Sequence, residues 1–321
     1  MKKINLGQKD VIHFVGIGGI GMSGLAQIMK NMGFNIQGSD QTKNKNLSSC
    51  LKLGIKVFIG HSSSNVKKAS ILVKSTAIKN NNIELRYARK NRIPIYSRAE
   101  VLADVVSLKK NIIITGSHGK TTTTSLVAKI LSDQKLDPTI INGGVINSFK
   151  SNAKLGKGEW AILEADESDG SFLKLPINYS IITNIDFEHI DYYKNYKNLE
   201  QSFIEFIKKT PPTGKSIVCI DSSNVIKVLK KIKNKNIITY GLSKKSDYQI
   251  KKIKYYYDST TFDLIFRDKE KKLKKIKSIN VKLLGKHNVL NAAASLIVCL
   301  NLGANLNRVK RSLKNFSGVQ R

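Results

Sequence analysis

The sequence of 321 residues predicts an α/β protein with two successive domains. Three observations support this class: β-branched runs alternate with helix-period stretches, two connecting turns are rich in glycine, and polar residues follow several of the runs. Short alternating stretches between residues 244 and 284 predict a further antiparallel β extension. A chain of this length is long enough to bury a core in each domain.

A first glycine-rich turn follows the predicted strand Val11–Val15 and precedes a helical pattern. Its glycines are Gly16, Gly18, Gly19 and Gly21. With Asp40 after the second predicted strand, the turn fits G-x-G-x-x-G in a Rossmann-like domain, which presents backbone N–H groups to a diphosphate. The motif leaves both a dinucleotide and a nucleotide-sugar open, because both carry the same diphosphate.

A second turn joins the β-branched run Ile112–Ile114 to another helical pattern. It has the short form G-x-x-G-K-T of a phosphate-binding loop, because Ile114 stands where the longer form has glycine. The residues expected to hold phosphate are Gly116, Ser117, His118, Gly119, Lys120, Thr121 and Thr122. We expect Lys120 to reach the β- and γ-phosphates and the Thr121 hydroxyl to bind Mg²⁺. A dehydrogenase would not need this loop.

Polar residues also end two later predicted strands. Glu164 follows Trp160–Leu163, and His189 comes after Tyr179–Thr183. Since Mg²⁺ with ATP usually takes carboxylate ligands from a neighbouring strand end, Glu164 is predicted to share a metal with Thr121. A single histidine is more often structural, but the position of His189 favours a ligand of a second metal.

Composition narrows the class of protein further. The formal net charge is +32, yet the lysines are spread along the chain with abundant Asn and Ile, which indicates codon bias rather than a nucleic-acid site. Basic and aromatic residues alternate only near Tyr255–Tyr257. The positive charge favours anionic substrates.

The three scattered cysteines and the lack of a long apolar run predict a cytoplasmic protein without a membrane segment or leader.

Taken together, these motifs resemble the Mur ligase family of peptidoglycan synthesis. The matching segments occur in the order of the family and span nearly the whole chain: Gly16–Ala26, Gly38–Asp40, Ser75–Ile78, Ser97–Asp104, Thr115–Thr124, Glu164–Phe172, Thr183–Tyr193, Gly285–Ala294 and Phe316–Arg321. One departure is Glu188, where the family usually has aspartate before the histidine.

The resemblance implies a division of the chain into domains and a role for several of its residues. Residues 1–107 would form the domain that binds a UDP-sugar, residues 108–315 the central ATP-binding domain, and residues 316–321 the start of a linker. The UDP-sugar would contact Gly16, Gly18, Gly19, Gly21, Asp40 and Ser75. ATP would bind Gly116 to Thr122 with His287, Asn288 and Asn291. Lys120, Glu164 and His189 would be catalytic, and Thr121, Glu164 and His189 would bind Mg²⁺.

The activity implied by the resemblance is the ATP-dependent joining of L-alanine to the lactyl carboxylate of UDP-N-acetylmuramate through an acyl phosphate. The family continues into a third domain that completes the ATP site and binds the amino acid. A chain with only the first two domains is therefore expected to bind substrate and ATP, with turnover in question.

Three alternatives stay open. A recycling ligase of the same family would join a tripeptide to the same nucleotide-sugar. An NAD-dependent oxidoreductase would explain the first 107 residues but leave the phosphate loop and the acidic residues without a role. A non-catalytic protein that binds a nucleotide-sugar is the third. The sequence does not indicate an oligomeric state.

Overall fold

Two β-sheets organise the chain, and the computed structural model describes residues 10–188, 190–233, 236–268 and 270–320. The first sheet is parallel, with the strand order β3-β2-β1-β4-β5. Its strands are β1 (Val11–Val15), β2 (Asn35–Asp40), β3 (Lys56–Ile59), β4 (Ile71–Lys74) and β5 (Ile95–Ser97). The helices that accompany it are α1 (Ile20–Asn31), α2 (Lys45–Lys52), α3 (Ile83–Lys90) and α4 (Arg98–Val106).

The second sheet has the strand order β15-β14-β13-β12-β11-β10-β6-β9-β7-β16, and β8 pairs with β7 beside it. Its strands are β6 (Lys110–Thr115), β7 (Thr139–Ile146), β8 (Ser151–Lys154), β9 (Trp160–Glu164), β10 (Tyr179–Ile182), β11 (Lys215–Cys219), β12 (Ile237–Gly241), β13 (Tyr248–Tyr255), β14 (Thr260–Arg267), β15 (Leu273–Val281) and β16 (Val319–Gln320). The strands from β12 to β7 pair in parallel, whereas β13, β14 and β15 form an antiparallel extension.

Helices cover both faces of the second sheet. They are α5 (Lys120–Asp133), α6 (Ile190–Tyr193), α7 (Tyr196–Lys208), α8 (Ser223–Lys230), α9 (Lys286–Asn301) and α10 (Leu306–Lys314). Residues 291–299 of α9 are buried without interruption, as expected of a helix that is apolar on all sides, and α9 packs against α5. On the other face, the ring of Phe172 lies 5.4 Å from that of Phe203 and 5.0 Å from that of Phe206.

Helix α1 connects the two sheets. It packs against β7 and β8, and the side-chain amide of Asn152 donates a 2.9 Å hydrogen bond to the carbonyl of Ile20. Gly24 permits this close approach, because a Cβ at that position would lie 3.2 Å from the Cβ of Ala153. The packing places the glycine turn before α1 beside the carboxyl ends of β7 and β9.

A buried polar cluster lies beneath the first sheet. Its centre is Glu84, which is 0 % exposed. Ser39 Oγ donates to Glu84 Oε2 at 2.5 Å, and Asn65 Nδ2 donates to Oε1 at 2.7 Å. Ring nitrogens of His13 and His61 lie 3.3 and 3.2 Å from Oε2. Since buried polar groups are costly unless they are hydrogen-bonded, this carboxylate links β1, β2, the segment after β3 and helix α3 into one unit.

The predicted fold class is confirmed. The structure contains the strand Val11–Val15 and the antiparallel extension that the sequence predicts. Gly33, with a φ of +93°, follows α1 in the left-handed conformation typical of a helix end. Within the described ranges, no helix combines the length and the apolar character needed to cross a bilayer.

Candidate active site

The second glycine turn forms a tight loop between β6 and α5. Gly116 and Gly119 have φ values of +125° and +85°, which only glycine adopts readily. Thr183 Oγ1 donates to the carbonyl of His118 at 2.6 Å, and the amide of His118 donates to Asn184 Oδ1 at 2.8 Å. The residues after β10 therefore hold the loop in shape at the N-terminus of α5, where backbone N–H groups favour an anion.

Lys120 lies at the centre of this loop. Its Nζ donates to the carbonyls of Gly116 at 2.7 Å and Ser117 at 3.2 Å, and to Glu167 Oε1 at 3.0 Å. Glu167 is 1 % exposed, and burial raises the pKa of its carboxyl while the charge of Lys120 lowers it. These contacts position the ammonium group over the loop.

Glu164, at the end of β9, is held by two donors. Thr121 Oγ1 donates to Oε1 at 2.9 Å, and the amide of Gly143 donates to Oε2 at 2.6 Å. Burial raises the pKa of Glu164, and these two hydrogen bonds oppose the shift. A Cβ on Gly143 would lie 2.5 Å from Oε1, so the backbone of β7 forms a close cradle for this carboxylate.

A cavity of about 800 Å³ lies over the loop. It brings together most of the residues predicted for ATP: Ser117, His118, Gly119, Lys120, Thr121, Thr122, His287, Asn288 and Asn291. Helices α5 and α9 both begin at this cavity, so two helix N-termini face it. Gly116 does not line the cavity. Leu283, Gly318 and Val319 do; Gly318 and Val319 stand in the recognised segment Phe316–Arg321, whereas no sequence pattern singled out Leu283.

A second cavity, of about 210 Å³, lies between the two sheets. Of the residues predicted for a UDP-sugar, it contains Gly19, Gly21 and Ser75, and it also contains Glu164. The residues that the sequence reasoning missed are Thr76, Arg98, Asn142 and Gly143. Thr76 and Arg98 stand in the recognised segments Ser75–Ile78 and Ser97–Asp104, which were a signal for them. Asn142 and Gly143 become neighbours of this cavity only through the packing of α1 on β7.

Other predicted residues of the glycine turn lie beside this cavity. The amide of Gly18 donates to Asp40 Oδ2 at 2.7 Å, so the Asp40 carboxylate holds the turn. Gly16 has a φ of +82°, and its amide donates to the carbonyl of Ser39 at 2.8 Å. Gly16, Gly18 and Asp40 therefore shape the glycine turn in this structure.

His189 lies outside the described residues. The segment that leads to it leaves β10, which pairs with β6 on the side opposite β9. Asp186 and Glu188 of this segment each have a carboxylate oxygen 3.4 Å from His118 Nε2. In the described part of the chain, no group of three His, Cys, Asp or Glu side chains is arranged to hold a metal. The prediction of a second metal at His189 stays a prediction.

Gly119 provides a direct test of the loop. A Cβ there would lie 2.5 Å from Asn291 Oδ1, and the residue would keep its left-handed φ. We expect Gly119→Ala to weaken ADP binding about 5- to 30-fold, as measured by calorimetry, because strain of this kind costs on the order of 1–2 kcal/mol. Gly303→Ala is the matched control: its φ is +81°, but its Cβ would meet open space. Equal ADP affinity in the two variants would contradict the role of the loop.

Fold and site together define a class of protein: a Rossmann-like domain joined to a phosphate-loop domain, with a buried carboxylate between their two cavities. Comparison with known families agrees with this class. Residues 11–110 match the family model "Mur ligase family, catalytic domain", and residues 114–299 match the "Mur ligase middle domain". The chain belongs to the Mur ligase family.

Individual relatives support this assignment. The chain is 55 % identical to the UDP-N-acetylmuramate–L-alanine ligase of Pelagibacter ubique, over 99 % of this chain and 69 % of that protein. The crystal structure of the UDP-N-acetylmuramate–alanine ligase of Thermotoga maritima matches with a TM-score of 0.85 and 30 % identity, over 97 % of this chain and 69 % of that one.

A second solved structure shares the fold at lower identity. It is the UDP-N-acetylmuramate:L-alanyl-γ-D-glutamyl-meso-diaminopimelate ligase of Neisseria meningitides. The TM-score is 0.86 at 24 % identity, over 97 % of this chain and 99 % of that one. At this identity the likeness supports the architecture alone.

Proposed function

We propose that this chain binds UDP-N-acetylmuramate and ATP and acts as an ATP-dependent amide-forming ligase, which joins L-alanine to the lactyl carboxylate of the sugar. The observation that carries the proposal is the hydrogen bond of 2.9 Å between Thr121 and Glu164. Thr121 lines the cavity over the phosphate loop and Glu164 lines the cavity beside the glycine turn, so a nucleotide in each would meet at this pair.

The residues of the glycine turn would hold the nucleotide-sugar. In the proposal, its diphosphate lies against Gly16, Gly18, Gly19 and Gly21, with Asp40 and Ser75 beside it. The N–H groups at the start of α1 favour an anion there. The sugar then extends towards β9, so that its lactyl carboxylate arrives near Glu164.

The phosphate loop would hold ATP. In the proposal, the backbone from Gly116 to Thr122 surrounds the phosphates, and His287, Asn288 and Asn291 contact the rest of the nucleotide. The lactyl carboxylate oxygen attacks the γ-phosphorus, the bond to the β-phosphate oxygen breaks, and ADP leaves. The amine of L-alanine then attacks the acyl carbon, the bond to phosphate breaks, and the amine loses a proton. Lys120 stabilises the negative charge on the transferred group.

The donor atoms near the loop fit Mg²⁺. Adjacent oxygen ligands of an octahedral Mg²⁺ lie about 2.9 Å apart, given bonds of about 2.0–2.1 Å. Thr121 Oγ1 and Glu164 Oε1 are separated by 2.9 Å. Both are oxygen donors, which Mg²⁺ prefers, and Mg²⁺ commonly takes only one or two protein ligands beside phosphate and water. When bound, the ion would neutralise charge on the phosphates.

The same proposal places the reaction in the cytoplasm, where ATP is available. Cys50, Cys219 and Cys299 are free and buried, which suits a reducing compartment.

Calorimetry tests the proposal. The chain is titrated separately with UDP-N-acetylmuramate, Mg²⁺–ADP and NADH. We expect the first two to bind and NADH not to bind, because the phosphate loop has no role in a dehydrogenase. Tight binding of NADH without binding of UDP-N-acetylmuramate would contradict the proposal.

Phosphate release tests turnover. It is measured with UDP-N-acetylmuramate and ATP, and with L-alanine or the tripeptide of the recycling reaction as the amine. Release of phosphate only with L-alanine is expected. Faster release with the tripeptide would favour the recycling ligase, and binding without release with either amine would favour a non-catalytic nucleotide-sugar protein.

A further inference from the structure

We propose that Arg98 binds an oxyanion of the nucleotide-sugar in the cavity between the two sheets. The inference rests on the proposed function, since it names a residue for the same substrate. Arg98 belongs to the recognised segment Ser97–Asp104, to which neither the sequence motifs nor the resemblance gave a role.

Helix capping fixes the position of Arg98 as the first residue of α4. Ser97 caps this helix, its amide donates to Glu100 Oε2 at 2.7 Å, and its hydroxyl accepts from the amide of Glu100. The other oxygen of Glu100 lies 3.1 Å from Lys174 Nζ. The carboxylate closest in sequence to Arg98 is therefore already used by the cap and by Lys174.

The guanidinium group lies against the first turn of α1. A Cβ on Gly21 would be 3.2 Å from Arg98 Nη1 and 3.4 Å from its Cζ. The glycine leaves the space that this approach needs. A diphosphate held by the glycine turn would lie at the same helix N-terminus, so a cation stands next to the predicted position of an anion.

Arg98 faces two adjoining cavities. It lines the cavity that contains Ser75 and Glu164, and a neighbouring cavity of about 210 Å³ that contains Asp169 and Tyr192. The side chain is half-buried. Arg98 thus lies between the glycine turn and the buried carboxylate of Glu164 at the end of β9.

Within the described residues, the Arg98 guanidinium has neither a hydrogen-bond partner nor an ion-pair partner. The acidic side chains of the first cavity are engaged elsewhere: Glu164 accepts from Thr121 and Gly143, and Asp166 accepts from the amide of Ser168 at 3.0 Å. A guanidinium has five N–H donors in a planar arrangement that matches a carboxylate or a phosphate. A half-buried guanidinium without partners in a cavity therefore suits an oxyanion ligand.

Two groups of the substrate are oxyanions that could bind this guanidinium group: the diphosphate and the lactyl carboxylate. The test uses calorimetry with UDP, UDP-N-acetylglucosamine and UDP-N-acetylmuramate, of which only the last has the carboxylate. We expect Arg98→Gln to weaken binding of UDP-N-acetylmuramate about 10- to 100-fold, as is typical for the loss of hydrogen bonds to a charged group. Arg98→Lys should recover part of the loss, because it keeps the charge but not the planar donors.

The ligand series separates the two sources. An equal loss for all three ligands assigns Arg98 to the diphosphate, and a loss confined to UDP-N-acetylmuramate assigns it to the carboxylate. Arg89→Gln is the matched control: this arginine is on α3, and its Nη1 donates to the carbonyl of Asn80 at 2.7 Å. It should bind every ligand as wild type does.

Thermal unfolding of each variant accompanies the titrations, and the midpoint of Arg98→Gln should equal that of wild type. If wild type binds UDP-N-acetylmuramate, and Arg98→Gln binds each of the three ligands as tightly as wild type does, the inference is wrong while the proposed function stands. If wild type itself does not bind UDP-N-acetylmuramate, both are wrong.

Discussion

Replacing Lys120 by alanine is expected to lower turnover by about 10²- to 10³-fold, the loss typical when one charge-stabilising contact to a transition state is removed. Lys120 is the cation at the centre of the phosphate loop, where its Nζ already contacts the carbonyls of Gly116 and Ser117. Negative charge on the transferred phosphoryl group would develop at this point. Because the contact matters most in the transition state, we expect kcat to fall more than the affinity for ATP.

The measurement is phosphate release in the presence of both substrates and ATP, with ADP affinity determined in parallel by calorimetry. Lys129→Ala is the matched control, since Lys129 lies on the same helix but pairs with Asp133 at 2.6 Å. It should keep wild-type turnover. The unfolding midpoint of Lys120→Ala is also needed, because this variant removes the ion pair with Glu167 at 2.9 Å. Wild-type turnover in Lys120→Ala would exclude the proposed role.

Replacing Glu84 by glutamine is expected to destabilise the protein by about 3 kcal/mol at neutral pH. Burial by itself would raise the pKa of Glu84, but hydrogen bonds from His13, Ser39 and Asn65 outweigh it and lower the pKa from 4.5 to about 2. A difference of this size between the folded and unfolded chain corresponds to about 3 kcal/mol of folding free energy when the carboxylate is charged in both.

The direction of this shift fixes the pH dependence. Because the pKa in the folded state lies below that in the unfolded state, the contribution of Glu84 is complete above about pH 4.5 and is lost as the pH falls towards 2. Urea unfolding of wild type at several pH values in this window should show the loss, and Glu84→Gln should lack that part of it. The exposed Glu205→Gln on α7 is the control and should retain the wild-type profile. Identical profiles for wild type and Glu84→Gln would contradict the assignment.

Local sequence signals were sufficient for much of the fold and for the phosphate loop. Glycines with a required φ, a lysine and a threonine at fixed spacing mark Gly116–Thr122, whatever surrounds them. The first turn of α9, with His287 and Asn291, was assigned to ATP through the resemblance to the family and not through such a local signal. The structure brings that turn to the loop in a single cavity.

Contacts between distant segments could not be predicted in this way. The partner of Lys120 at Glu167, the cradle of Glu164 at Gly143 and the position of Arg98 beside Gly21 all depend on how separate elements pack. The strands β7 and β8 place α1 against the second sheet, and no motif in residues 139–154 indicated this role. Physical neighbours across a domain boundary leave little trace in a single sequence.

The hydrogen bond between Thr121 and Glu164 makes the two cavities thermodynamically dependent on each other. A ligand that takes up the Thr121 hydroxyl frees one lone pair of Glu164, and so changes the electrostatic potential that the neighbouring cavity presents. Linkage requires the reverse effect to be of equal size. A ligand that binds the Glu164 carboxylate therefore changes the affinity of the other ligand for the cavity at Thr121 by the same factor. The free energy of the doubly occupied protein is therefore the same whichever ligand binds first.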